Sequence, residues 1–247
     1  MYQVIAKITG CDYVAVPRRT DFSIDTDALL SAIERHDPCC VFLACPNNPT
    51  GNACDSVMIE NVVRACSGIV LVDEAYHAFC GQTFMDRATM AKNVLVMRTF
   101  SKLGLAGLRL GLLAGSPALV DELNKIRLPY NINALTQASV AFALEHMDWF
   151  DEKAVMICHA RDDLYRALDG MRGITAYPSK TNFILFRVPR GTGNQVFTAL
   201  CDRGVLIKNL HGAHRALKDC LRVTVSTPAE NTAFLEALSS ALQVGSV

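Results

Sequence analysis

Three short polar clusters each follow an apolar run. Pro46-Asn47-Asn48-Pro49-Thr50-Gly51 follows residues 40–45, Asp73-Glu74-Ala75-Tyr76 follows residues 69–72, and Thr99-Phe100-Ser101-Lys102 follows residues 94–97. Arg109 comes a little later. Together they offer an amide, a carboxylate, a phenol, two hydroxyls, a primary amine and a guanidinium. That inventory suits a phosphorylated aromatic aldehyde held covalently on a lysine. Each member also has a plainer reading. PNNPTG has turn chemistry throughout, so Asn48 suits a turn. Asp73 would suit the magnesium site of a phosphate-loop ATPase, but the GxxxxGK[ST] loop such an enzyme needs is absent. Gly191-Thr192-Gly193 lacks the third glycine of a dinucleotide fingerprint and reads as the start of a helix, and Gly104, Gly107 and Gly111 miss that spacing too. Lys102 alone reads as a solvated surface charge. No residue decides the matter singly.

The elements that must position these clusters follow a repeated order of apolar strand, polar loop and amphipathic helix. Residues 25–35 read as a helix with Leu29 and Ile33 on one face. Asp55 caps a second helix, striped by Met58, Val62 and Ala65. Strands are expected at 40–45, 69–72 and 94–97. Their lack of polar alternation points to a largely parallel sheet covered on both faces. Ligands of open α/β sheets sit beyond the carboxyl ends of parallel strands, so clusters at three such ends can serve one site. Ser116-Pro117 opens a helix that Pro129 breaks, and a long helix runs over 149–168 with Gly170 as its stop. After it, residues 182–188 and 220–225 read as strands, the second alternating with Leu221, Val223 and Val225 on one face. Thr227-Pro228-Ala229-Glu230 is a capping box that opens a last helix through Phe234, Leu238 and Leu242. The fold class is therefore α/β, a mostly parallel sheet flanked by helices over residues 1–149, with a smaller α+β domain over 150–247. Met1, Val4, Ile5 and Ile8 have helical spacing with no cap before them.

Composition narrows the function classes. The chain has 247 residues, and 24 Lys+Arg balance 24 Asp+Glu. A net charge of zero gives no footprint for a nucleic acid or an anionic membrane, so neither is an expected partner. No apolar run approaches the roughly 20 residues of a membrane span, and the first residues lack the pattern of a secretory signal. A soluble cytoplasmic protein is expected. Ten cysteines sit mostly inside apolar runs, with no CxxC pair and no His at zinc-finger spacing. The expectation is buried free thiols rather than disulfides, and no metal site.

The series PNNPTG, VDEAY, TFSK and GLAGLRLG, in that order, resembles the fold-type I PLP-dependent aminotransferases. Within them the chain is most similar to the histidinol-phosphate aminotransferases, with support from Pro129-Tyr130-Asn131-Ile132-Asn133 and residues 220–225. The resemblance runs over essentially the whole chain. It implies pyridoxal 5'-phosphate (PLP) as cofactor and a transamination between histidinol phosphate and 2-oxoglutarate, giving imidazole-acetol phosphate and glutamate, in histidine biosynthesis. The partners implied are a small amino donor, a 2-oxo acid and a second copy of the chain in a homodimer. Enzyme alternatives that keep the cofactor are an aromatic aminotransferase or an amino-acid-phosphate decarboxylase. A different class of alternative is a non-catalytic remnant.

Residue by residue, the resemblance implies that Lys102 carries PLP and moves the substrate α-proton. Asp73 would pair with the pyridine nitrogen and keep the ring an electron sink, while Asn48 and Tyr76 would hydrogen-bond its phenolate oxygen. Thr99, Ser101 and Arg109 would hold the phosphate, without preference between the two hydroxyls. Arg222, on the strand face opposite Leu221 and Val223, would clamp the substrate α-carboxylate. Either arginine also suits a surface ion pair. Lys208 stands where many relatives carry an arginine facing a substrate phosphate. Family members begin well upstream, and Met1 falls in their MY-containing helix. The resemblance therefore implies a chain lacking an N-terminal portion, with weak PLP binding and little turnover as expectations.

Overall fold

The structure, a computed structural model, describes residues 1–244. It divides into two compact units. The first comprises Met1–Cys45, Cys54–Ala75 and Gln82–Gln137; the second comprises Pro46–Ala53, Tyr76–Gly81 and Ala138–Val247.

The first unit holds α1 (Tyr2–Ile8), α2 (Thr26–His36), β1 (Cys40–Ala44), α3 (Ser56–Ala65), β2 (Ile69–Asp73), α4 (Met85–Ala88), β3 (Val94–Thr99), β4 (Gly111–Gly115) and α5 (Pro117–Ile126). The cap expected at Asp55 forms, and Asp25 caps the preceding helix in the same way. Asp25 accepts from the Ala28 amide at 3.2 Å and Asp55 from the Val57 amide at 3.1 Å. Each relieves one unpaired amide of a first helical turn. Pro117 begins α5 as expected, but Ser116 makes no side-chain cap, and α1 likewise has none. The sheet order is β1-β2-β3-β4. The first three strands are parallel, and β4 runs antiparallel to β3. Gly111 permits that last pairing, since a Cβ there would lie 2.8 Å from the Arg98 carbonyl oxygen.

Side-chain alternation separates the two faces of this sheet. Val41, Leu43, Val70, Val72, Val94 and Val96 point to one face and are buried under Leu29 and Ile33 of α2 and Met58 and Val62 of α3. Each such burial is worth about 1.5–3 kcal/mol. The opposite face carries Phe42, Leu71, Asp73, Met97 and Thr99, and there Phe42 is 43% exposed. Leu95 lies on that same face and is 3% exposed, so both faces of the sheet bury apolar side chains. The strands are apolar on both sides, but α2 and α3 pack on one side only.

Helix α6 (Ala134–Glu145) begins in the first unit and ends in the second. The second unit continues with α7 (Met147–Asp169), β5 (Thr175–Ala176), β6 (Phe183–Arg187), α8 (Gly193–Cys201), β7 (Lys208–Asn209), β8 (Cys220–Thr224) and α9 (Pro228–Val244). Its antiparallel sheet has the order β5-β6-β8-β7. Leu164 and Leu168 of α7, Leu200 of α8 and Phe234 and Leu238 of α9 pack against Ile184, Phe186, Leu221 and Val223. The capping box closes reciprocally: the Thr227 hydroxyl and amide donate to Glu230 at 2.7 and 3.2 Å, and the Glu230 amide donates back to the Thr227 hydroxyl at 3.4 Å. The Gly191-Thr192-Gly193 segment does start a helix. The buried Asp219 carboxylate accepts the Gly191 and Gly193 amides at 3.0 and 3.1 Å. A Cβ on Gly193 would lie 2.8 Å from the His211 ring, so only glycine fits. Burial works against the Asp219 charge, yet these two amides, His211 and Lys218 hold its carboxyl below the usual range.

One pair of cysteines departs from expectation. Cys45 and Cys54 form a disulfide, their Cα atoms 5.5 Å apart. The reason is local: the chain leaves β1 at Cys45 and returns beside it after the eight residues of 46–53. The other eight cysteines form no disulfide among the described residues. Burial pushes the Cys40 thiol up to about 11 and raises those of Cys66 and Cys220, which keeps them protonated and unreactive near neutral pH. Among the described residues, no helix is long and apolar enough to cross a membrane.

Candidate active site

The residues singled out by sequence lie in two clusters, one in each unit. The first is built at the carboxyl ends of β2 and β3. Asp73 is the last residue of β2 and pairs in register with Met97, so Thr99, two residues on, shares its face. The Asp73 carboxylate accepts from the Ala75 amide at 3.0 Å through Oδ1 and from the Tyr2 phenol through Oδ2. Burial, together with that carboxylate, pushes the Tyr2 phenol well above its usual range.

Thr99 ends β3 and turns the chain into a 3₁₀ segment, Phe100–Lys102. Its hydroxyl accepts from the Ser101 amide at 3.1 Å and donates to the Leu110 carbonyl at 3.3 Å. The Thr99 hydroxyl is therefore committed to the turn, whereas the Ser101 hydroxyl makes no hydrogen bond among the described residues. Lys102 closes the segment and is half-buried. Arg109 is exposed and sits in the left-handed region at φ 52°, an uncommon backbone for a non-glycine residue. Its guanidinium donates to the Ala106 carbonyl at 3.1 Å.

Glu74 was not singled out, although it adjoins Asp73. Strand alternation sends it to the other face, where it is buried and accepts from Arg98 Nε at 3.0 Å, from the Thr83 hydroxyl at 2.9 Å and from the Phe84 amide. It ties the segment after β2 to β3.

The second cluster lies in the other unit. The Asn48 amide nitrogen donates to the Tyr76 oxygen at 3.4 Å, and its side-chain oxygen accepts from Arg222 Nη1. The Asn48–Pro49 peptide is cis. Tyr76 is buried, edge-on to Phe183 at 5.3 Å, and the Arg222 guanidinium lies 4.6 Å over the same Phe183 ring. Arg222 Nε is buried and has no hydrogen-bond partner among the described residues. Burial lowers the Arg222 pKa, an effect opposed by Tyr76. The surface-ion-pair reading of Arg222 finds no support, because its guanidinium meets an amide and an aromatic face. In register, Lys208 of β7 stands opposite Arg222 of β8, which puts two cations side by side on one sheet face.

A second residue that the sequence reading passed over is Arg161 of α7. It is buried, and its Nη1 donates to the Phe79 carbonyl at 3.0 Å and the Thr181 carbonyl at 3.4 Å. It thereby clamps the short turn that follows Tyr76. An arginine within a helix of mixed polarity carries no sequence signal for such a role.

Comparison with known proteins places this geometry in a family. The family model for class I and II aminotransferases matches residues 1–238. Histidinol-phosphate aminotransferase 2 of Nitrosococcus oceani is 53% identical over 240 residues, covering 97% of this chain and 67% of that protein. Histidinol-phosphate aminotransferase 1 of Ralstonia nicotianae is 45% identical, covering 98% of this chain and 66% of that protein. The chain thus spans about two thirds of the length of the curated relatives it matches. Among solved structures, the histidinol-phosphate aminotransferase of Sinorhizobium meliloti in complex with pyridoxal-5'-phosphate superposes with a TM-score of 0.89 at 25% identity, covering 99% of this chain and 68% of that one. The enzyme of the same name from Clostridium acetobutylicum gives a TM-score of 0.90 at 21% identity, covering 98% of this chain and 75% of that one, a likeness of fold. With a family match running from its first residue to residue 238, this chain belongs to the class I and II aminotransferases.

Proposed function

We propose that the chain is a PLP-dependent aminotransferase polypeptide that moves an amino group between histidinol phosphate and 2-oxoglutarate. The observation that carries this reading is the 53% identity to a histidinol-phosphate aminotransferase over 97% of the chain. A homodimer in the cytoplasm goes with it, as do a cofactor-binding domain over 1–149 and a small domain over 150–247.

The donor sets fit the cofactor. Asp73 has one donor on each oxygen and keeps lone pairs for a ring N–H. Thr99 and Ser101 are the hydroxyls proposed for the phosphate, and the engagement of Thr99 with the Leu110 carbonyl and the Ser101 amide favours Ser101 as the main ligand. Arg109 would supply the phosphate's charged partner. Asn48 and Tyr76 hold the ring oxygen. When bound, PLP supplies an electron-withdrawing ring and a carbon that takes up the amino group. Lys102 would hold the cofactor, and its amine would take the proton from the substrate α-carbon. Arg222 grips the α-carboxylate through Nη and the unpartnered Nε. Lys208, beside Arg222, meets the phosphate of the amino donor as a point charge.

The test compares turnover of histidinol phosphate with that of histidinol, each with PLP and 2-oxoglutarate. Preference for the phosphorylated donor is expected. Equal turnover, or faster turnover of an aromatic amino acid, would overturn the substrate assignment.

A further inference from the structure

The Asp73 carboxylate is held at both oxygens by donors of different origin. The Ala75 amide, two residues away, takes Oδ1, and the Tyr2 phenol, 71 residues away in sequence, takes Oδ2. A strand-end carboxylate held only by its own loop can pivot about its last torsion, which is broad and soft. A second donor on the other oxygen fixes that torsion and leaves at least one lone pair on each oxygen for a further donor.

Tyr2 is itself supported. Its ring stacks on Phe42 with centroids 4.5 Å apart and planes inclined by 26°. Phe42 pairs in register with Leu71, two residues before Asp73 on the same face. The ring therefore rests on the sheet face that carries Asp73, and its hydroxyl reaches the carboxylate at the strand end. In α1 Tyr2 and Ala6 are half-buried and the other residues exposed, so the Tyr2 contacts tie the helix to the sheet. With its pKa raised by burial and by Asp73, the phenol stays protonated, and so a donor, across any working pH.

We propose that Tyr2 is a positioning residue that orients the Asp73 carboxylate to receive the pyridine N–H of the cofactor. This rests on the reading of Asp73 given above. Tyr2→Phe keeps the ring and its stacking on Phe42 and removes only the hydroxyl, so a structural role through packing is left intact.

The experiment measures the PLP dissociation constant by absorbance for the full chain, Tyr2→Phe, Asp73→Asn and the double variant. It also measures urea unfolding of all four without cofactor. Tyr2→Phe is expected to weaken PLP about tenfold, the scale of one hydrogen bond to a charged group. In the Asp73→Asn background the same change should cost less than twofold, because no charged acceptor remains. Without cofactor the four proteins should show coupling of the two sites, a change of about threefold to tenfold in the unfolding constant beyond additivity. A silent Tyr2→Phe, or an equal loss in both backgrounds, would overturn the proposal while leaving the cofactor reading intact. Failure of the unmodified chain to form a borohydride-stable adduct on Lys102 would remove the cofactor reading itself, and the role of Tyr2 with it.

Discussion

The Arg222 guanidinium donates to the side-chain oxygen of Asn48, which lies 174 positions earlier in sequence, while its own Nε is buried with no acceptor. A buried donor without a partner is costly, on the order of 1–3 kcal/mol, and an incoming carboxylate relieves that cost. Asn48 and the Phe183 ring hold the guanidinium without an acidic partner, which suits the proposed role of Arg222 in gripping a substrate carboxylate.

Replacing Arg222 by lysine should therefore weaken binding of 2-oxoglutarate by tenfold to a hundredfold, about 1.4–2.7 kcal/mol. The ammonium is a point charge and cannot offer two parallel donors. Titration of the protein loaded with the aminated cofactor, pyridoxamine 5'-phosphate, with the 2-oxo acid, followed by absorbance, reads this directly. Unchanged affinity would remove Arg222 from the substrate site.

Lys208→Ala should reduce the preference for a phosphorylated amino donor by about tenfold and leave binding of 2-oxoglutarate within twofold. An exposed lysine acts through screened charge, so the preference of the unmodified chain should also fall as salt is raised. KM values for histidinol phosphate and histidinol at two ionic strengths check both statements.

Asp219→Asn should destabilise the protein by about 1–3 kcal/mol at pH 7, because an amide nitrogen then faces one of the two glycine amides. The pH dependence follows from the depressed carboxyl of Asp219. A group lowered in the folded state stabilises above its unfolded value near about 4, and that contribution is lost as pH falls through the folded value. The stability gap between the two proteins should thus be full at neutral pH and close below about pH 4. Urea titrations between pH 3 and 7 measure it.

Thiol counting tests the Cys45–Cys54 bond. In protein denatured without reductant, eight thiols should react with Ellman's reagent, and all ten after reduction. Ten before reduction would mean that the pair is reduced in the isolated protein. Either way the loop carrying Asn48 is bounded by these two residues, so the count bears on how that loop is held.

Much of this fold is legible in the sequence where periodicity and capping agree. Leu29 with Ile33, Met58 with Val62, and the Thr227–Glu230 box give α2, α3 and the start of α9 close to their observed limits. The alternation of Leu221, Val223 and Val225 gives β8, with Arg222 on the other face. Strand β4 is not legible, because glycines bound its three apolar residues and its pairing depends on the close approach of β3 at Gly111. Nor does an apolar strand say which of its positions will be covered: Phe42 is exposed while Leu95, on the same face, is buried. In the site, Asp73, Lys102 and Arg222 stand out through motifs of fixed spacing. Tyr2, Glu74 and Arg161 do not, since their partners are brought to them only by the tertiary fold. The Cys45–Cys54 pair is hidden for the same reason: a nine-residue spacing has no redox meaning until the chain folds back.

The central claim is that Lys102 carries the cofactor. The direct test is to add excess PLP to the purified chain, reduce with borohydride and map the modified lysine by peptide mass spectrometry. Label is expected on Lys102 and should be lost in Lys102→Ala. Label spread over surface lysines, or none at all, would contradict it.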